Sequence, residues 1–224
     1  MRVGAIQTSL PVFAENIPVT IDELMQRSPV IPVLVVDDPR DARPIAEALV
    51  GGGLCVLEVT LRTPAALTVI AQMSKVEGAL VGAGTVLNAE MLDRSLDAGA
   101  RFIVSPGLTE TLTAAAQDRA VPFLPGIATA SDIMRGLEFG LTHFKFFPAE
   151  ASGGAPALKA FSGPFPNCRF CPTGAITVQN APGYFALPAV LCVGGSWVTP
   201  HDAVAAHNWE RIRELAMMAR TLKR

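Results

Sequence analysis

The sequence predicts a (β/α)8 TIM barrel with an N-terminal helix. Three observations carry that expectation. The chain has 224 residues, of which 50% are hydrophobic, a size and composition that let an α/β barrel form one domain with a substantial core. Apolar strand-like segments alternate with amphipathic helical ones, which implies parallel strands joined by right-handed crossovers. The apolar segments number eight, and eight units in about 200 residues close a barrel more readily than they extend an open sheet. An open Rossmann or flavodoxin-like sheet is the alternative. It is weakened after the first strand, where "VVDDPRDA" stands instead of G-x-G-x-x-G.

The elements follow in order. Residues 1–19 read as an irregular tail. Gln7, Thr8, Ser9 and Pro11 interrupt its apolar residues, and it makes a poor signal peptide. Thr20-Ile21-Asp22-Glu23 is a capping-box pattern that starts a short helix through Arg27. Strands are expected at 30–36, 54–60, 79–84, 101–105, 121–126, 143–147, 168–173 and 189–195. Between them, "PRDARPIAEALVGGG" ends in glycines that suit a helix C-terminus. Thr63 and Pro64 suit the N-cap and first turn of the next helix. Asn88, Thr109 and either Thr129 or Ser131 are the later N-cap candidates. Two short helices are expected near 155–161 and 177–184, and "NWERIRELAMMARTLKR" closes the chain as an amphipathic helix.

Composition excludes several functions. A net charge of −2 leaves no basic footprint for nucleic acid. No apolar run is long enough to span a bilayer, so no membrane partner is expected and the expected location is the cytoplasm. Cys168 and Cys171 form a C-x-x-C, but residues three apart on a strand point to opposite faces and cannot share a metal. Buried, reduced thiols are the expectation for Cys55, Cys168, Cys171 and Cys192. His143, His201 and His207 are scattered, and no His/Asp/Glu cluster falls at the expected rim. The reading therefore calls for no metal and no cofactor.

Two charged residues interrupt strands. In "HFKFF", Lys145 shares a face with His143 and Phe147, and Phe144 and Phe146 take the other. In "LCVLEVT", Glu58 shares a face with Val56, Thr60 and Arg62. Strands two and six are both even, and alternate strands supply one side-chain layer of a barrel. Glu58 and Lys145 can thus converge from opposite walls. A purely structural ion pair is the bland alternative. Such pairs stabilise little, because desolvation costs several kcal/mol per ion, and it gives no reason for an arginine and glycine-rich loops at the same rim. A dry amine condenses with carbonyls, and a nearby carboxylate can move protons. That set suffices for Schiff-base aldol chemistry. The rivals are a pyridoxal-phosphate enzyme, a phosphosugar isomerase and a non-catalytic sugar-phosphate binder. At the seventh and eighth rims, Gly174, Gly194 and Gly195 permit close backbone approach to a phosphate and Ser196 offers a hydroxyl. Gly51, Gly52 and Gly53 sit at a helix end away from the mouth and read as structural.

"LEVTLRT", "VGAGTVLN", "SPGLT", "LPGIAT", "FKFFPAE", "RFCPTG" and "VGGSW" together resemble the 2-keto-3-deoxy-6-phosphogluconate aldolase family, from about Pro29 to Trp197. The resemblance implies a class I lyase of the Entner–Doudoroff pathway on a (β/α)8 barrel, usually a homotrimer. It implies cleavage of 2-dehydro-3-deoxy-6-phosphogluconate, a phosphorylated keto-sugar acid, to pyruvate and glyceraldehyde 3-phosphate. Action on 4-hydroxy-2-oxoglutarate is implied as well. Carried over by motif, Lys145 forms the Schiff base and Glu58 is the general acid/base. Arg62 binds the substrate carboxylate, and Thr85 lies beside it. Pro106 and Phe147 line the pocket, and Thr173, Gly174, Gly195 and Ser196 contact the phosphate and polar tail. One departure stands out: the family commonly reads P-T-G-G where this chain has Pro172-Thr173-Gly174-Ala175. Alanine keeps the N–H but restricts φ.

Overall fold

A computed structural model describes residues 19–222; of the tail expected at 1–19, all but Val19 lies outside the described residues. The parallel strands are β1 (Val30–Leu34), β2 (Val56–Thr60), β3 (Leu80–Gly84), β4 (Ile103–Val104), β5 (Phe123–Leu124), β6 (Gly126–Ile127), β7 (His143–Phe146), β8 (Arg169–Pro172) and β9 (Val193–Gly195). They pair in two runs, β5-β4-β3-β2-β1-β9 and β6-β7-β8. Two joints close the ring. At one, β5 and β6 are a single stave broken at Pro125. Proline has no N–H for the ladder, but its carbonyl still accepts from Lys145 N. At the other, bridges Phe170↔Val190 and Thr173↔Gly194 tie β8 to the β9 segment. The result is the expected (β/α)8 barrel, with its fifth strand interrupted where the sequence reading ran it continuously.

Ten α-helices lie among the described residues: α1 (Ile21–Arg27), α2 (Ala42–Gly51), α3 (Ala66–Met73), α4 (Ala89–Asp97), α5 (Glu110–Asp118), α6 (Ala130–Glu138), α7 (Gly154–Ser162), α8 (Ala181–Phe185), α9 (His201–Ala205) and α10 (Trp209–Arg220). Side-chain caps start five of them, α1, α4, α5, α6 and α10. Thr20 and Glu23 complete a reciprocal capping box on α1. Asn88 caps α4, and Thr109 caps α5. Thr129 rather than Ser131 caps α6, with Asp132 answering. At α3 the expected cap at Thr63 does not form. The N-cap there is Ala65, without a side-chain bond. The Thr63 hydroxyl donates instead to Val36 O at 2.8 Å, stitching the loop after β2 to the loop after β1. The closing helical stretch is preceded by α9, which the sequence reading left out. The glycine run after α2 is structural: a Cβ on Gly52 would lie 2.5 Å from Ala216 Cβ, so glycine lets α10 dock there.

Burial divides into two shells. Between staves and helices lies the outer core, which includes Phe144, Phe146 and Phe170. Inside the barrel, Ile31, Val56, Leu80, Phe102, Val104 and Leu124 pack with Leu24 and Met25 of α1. The N-terminal helix therefore plugs the bottom of the barrel. Its Asp22 contacts His143 Nε2 at 3.0 Å, which places the start of β7 at that lower end, as the strand direction requires. Cys168 falls in the outer shell and Cys171 in the inner one, the opposite-face arrangement that strand geometry dictates. No disulfide joins the four cysteines. With apolar side chains filling the lower interior, polar ones remain for the upper end.

Candidate active site

Lys145 and Glu58 meet inside the barrel. Register brings them together: Glu58 pairs with Val33 and Gly82 across β1 and β3, and Lys145 pairs with Gly126 and Cys171 across β6 and β8. Lys145 Nζ donates to Glu58 Oε1 at 3.0 Å. The two side chains are only 8% and 4% exposed. Phe144 and Phe146 face outward into the helix layer, where Phe146 meets Phe161 edge-on at 6.1 Å. Alternation on β7 thus turns the lysine inward. Its ammonium also lies 5.4 Å from the Phe147 ring centroid. Space for the carboxylate comes from Gly84: a Cβ there would sit 2.2 Å from Glu58 Oε1.

The pair opens onto a cavity of about 310 Å³ at the C-terminal ends of the staves. Its wall includes Glu58, Arg62, Thr85, Pro106, Lys145, Phe147, Thr173, Gly174, Gly195 and Ser196, which are all ten site residues expected from the sequence. Barrel topology explains the convergence, since the loops after the strands all end on this face. Sequence reasoning did not assign a role to Val33, Thr60 or Ile176, which also line the cavity. Thr60 was legible as the residue two beyond Glu58 on the same face. Val33 and Ile176 are ordinary apolar residues with no local signal. Beneath the turn after β7, Tyr184 hydrogen-bonds Glu150. Burial, then that hydrogen bond, pushes the Tyr184 hydroxyl well above the usual phenol range. Among the described residues no group of three or more His, Cys, Asp and Glu could hold a metal.

The β8 rim loop holds a backbone feature that bears on Ala175. Gly174 has φ +108°, and Ala175 follows at φ +56°. The left-handed region costs an L-residue about 1–2 kcal/mol. Asn180 secures the turn: its Nδ2 donates to Ala175 O at 3.0 Å, and its Oδ1 accepts from Thr177 N at 2.7 Å. Ala175→Gly is expected to relieve the strain and raise Tm by about 1–3 °C. Thermal unfolding checks this, and a lower Tm would contradict it.

Three comparisons bear on this site. The family model for KDPG and KHG aldolases matches residues 21–215. A relative from Escherichia coli K12, named KHG/KDPG aldolase, is 50% identical over 92% of this chain and 97% of its own. Among solved structures, the Zymomonas mobilis ZM4 2-keto-3-deoxy-6-phosphogluconate aldolase with 3-phosphoglycerate is 56% identical, with a TM-score of 0.87 over 91% of this chain and 96% of that one. The Legionella pneumophila KDPG aldolase, with pyruvate captured at low pH as a covalent carbinolamine, is 48% identical, with a TM-score of 0.87 over 91% of this chain and 99% of that one. Among the described residues no helix is long and apolar enough to cross a membrane. With the family model covering most of the barrel and relatives this similar along nearly the whole chain, the protein belongs to the KDPG and KHG aldolase family, whose members are carbon–carbon lyases.

Proposed function

We propose that this chain is a class I aldolase that cleaves 2-dehydro-3-deoxy-6-phosphogluconate to pyruvate and glyceraldehyde 3-phosphate through a Schiff base on Lys145. The observation that carries the reading is the buried Lys145–Glu58 contact at the floor of a polar-rimmed cavity. Lys145 Nζ attacks the C2 carbonyl carbon, and Glu58 manages the protons as the carbinolamine loses water. Glu58 then takes the C4 hydroxyl proton, through one water. The C3–C4 electrons flow into the iminium, and glyceraldehyde 3-phosphate leaves. The enamine is protonated at C3, and hydrolysis returns pyruvate and the free amine. Arg62 holds the carboxylate beside Thr85, and Pro106 and Phe147 flank the three-carbon end. Thr173, Gly174, Gly195 and Ser196 take the phosphate. The carbinolamine trapped in the Legionella pneumophila relative supports this route.

Further readings belong to the same proposal. The name of the Escherichia coli relative supports action on 4-hydroxy-2-oxoglutarate as well. The chain works as one catalytic barrel in the cytoplasm and, on the family resemblance, as a homotrimer; analytical ultracentrifugation tests the assembly. The phosphate assignment has its own test. Ser196→Ala is expected to weaken kcat/KM for the phosphorylated substrate by about 10- to 150-fold, the worth of one hydrogen bond to a charged group. An unphosphorylated analogue loses much less. Equal losses on both substrates would remove Ser196 from the phosphate subsite.

A further inference from the structure

We infer that Thr60 is a positioning residue that aims Arg62 at the substrate carboxylate. The inference rests on the reading that Arg62 binds that carboxylate. Thr60 is the last residue of β2 and only 3% exposed. Its hydroxyl donates to Leu34 O, at the end of β1, at 2.8 Å. The same oxygen accepts from Arg62 Nε at 3.2 Å. A chain of hydrogen bonds thus runs from the β1 backbone through a buried hydroxyl to a guanidinium at the cavity rim.

This chain has a consequence for how the arginine works. Arg62 lies in the turn beyond β2 and is exposed, so its long side chain has little packing to hold it. The hydroxyl supplies a fixed point. The direction is set by the proton: Thr60 spends it on Leu34 O, so the oxygen faces Arg62 only as an acceptor. Because Nε is engaged, an incoming carboxylate meets the two terminal Nη groups, the end-on fork, rather than the Nε–Nη side. Thr60 is therefore a residue that acts through Arg62, on the substrate's 2-keto-acid end, and the expected signature is in KM more than in kcat.

The test is a double-mutant cycle on the cleavage reaction, with KM and kcat measured separately and Tm recorded for each variant. Thr60→Val keeps the branched shape that suits a strand and removes the hydroxyl. It is expected to raise KM by about 5- to 20-fold, in line with losing a bond to a charged group, with a smaller change in kcat. Thr60→Ser keeps the hydroxyl and is expected to return KM to within about threefold of the parent. In an Arg62→Ala background, Thr60→Val is expected to change KM by less than about twofold, since coupled residues do not add. A KM unchanged by Thr60→Val while Arg62→Ala raises it would overturn the inference alone. So would an equal Thr60→Val effect with and without Arg62. If Arg62→Ala itself left KM unchanged, the carboxylate assignment beneath it would fall, and the inference with it.

Discussion

Lys145→Ala is expected to lower kcat/KM for cleavage by at least about 10⁴-fold. Without the amine no iminium forms, and the C3 carbanion has no electron sink. Among the described residues no other lysine is placed to substitute at the same point. Lys75 and Lys159 lie outside the cavity wall, and Lys145 is the lysine that Glu58 meets. The variant also leaves a buried carboxylate without its ion partner, a change that costs about 3–5 kcal/mol in comparable cases. The activity measurement therefore belongs well below the variant's own Tm, with near-UV circular dichroism showing that the fold persists. Pyruvate release at the parent rate from a folded Lys145→Ala protein would contradict the mechanism.

Glu58→Gln carries the second large effect. Glutamine keeps the shape and can still hydrogen-bond near Lys145, but it cannot carry a proton away. Turnover is expected to fall by about 10²–10⁴-fold, the usual contribution of a positioned general base. The Schiff base with pyruvate should still form, more slowly because Glu58 also serves carbinolamine dehydration, and exchange of the pyruvate methyl hydrogens with solvent should fall in parallel with turnover. Following that exchange by proton NMR separates proton transfer from imine formation. Near-parental exchange in Glu58→Gln would move the base to another group.

Much of this site was legible in the sequence because strand periodicity is a strong constraint. A lysine between phenylalanines has only two faces to choose from, and the helices claim the apolar one. The even-strand layer rule then placed Glu58 opposite, and the structure brings Nζ and Oε1 within 3.0 Å. Helix caps at Thr20, Asn88, Thr109 and Thr129 were equally readable, since each is a local bond over three residues. What escaped depends on long-range contacts. Thr63 has the local chemistry of a cap, yet Val36 O competes for its hydroxyl from 27 residues away. Pro125 breaks the fifth stave only in relation to the ladder with β7. The Leu34–Thr60–Arg62 chain needs the β1–β2 register, which no local pattern encodes. The identity of the sugar acid was never in periodicity or charge; it came from the motif resemblance.

The most direct test of the central claim is mass spectrometry after borohydride reduction of the protein in the presence of pyruvate. The account predicts one three-carbon adduct per chain, on the peptide that contains Lys145, and none in Lys145→Ala. An adduct on Lys75, Lys159 or Lys223, or no adduct at all from a cleaving enzyme, would contradict a Schiff base at this site.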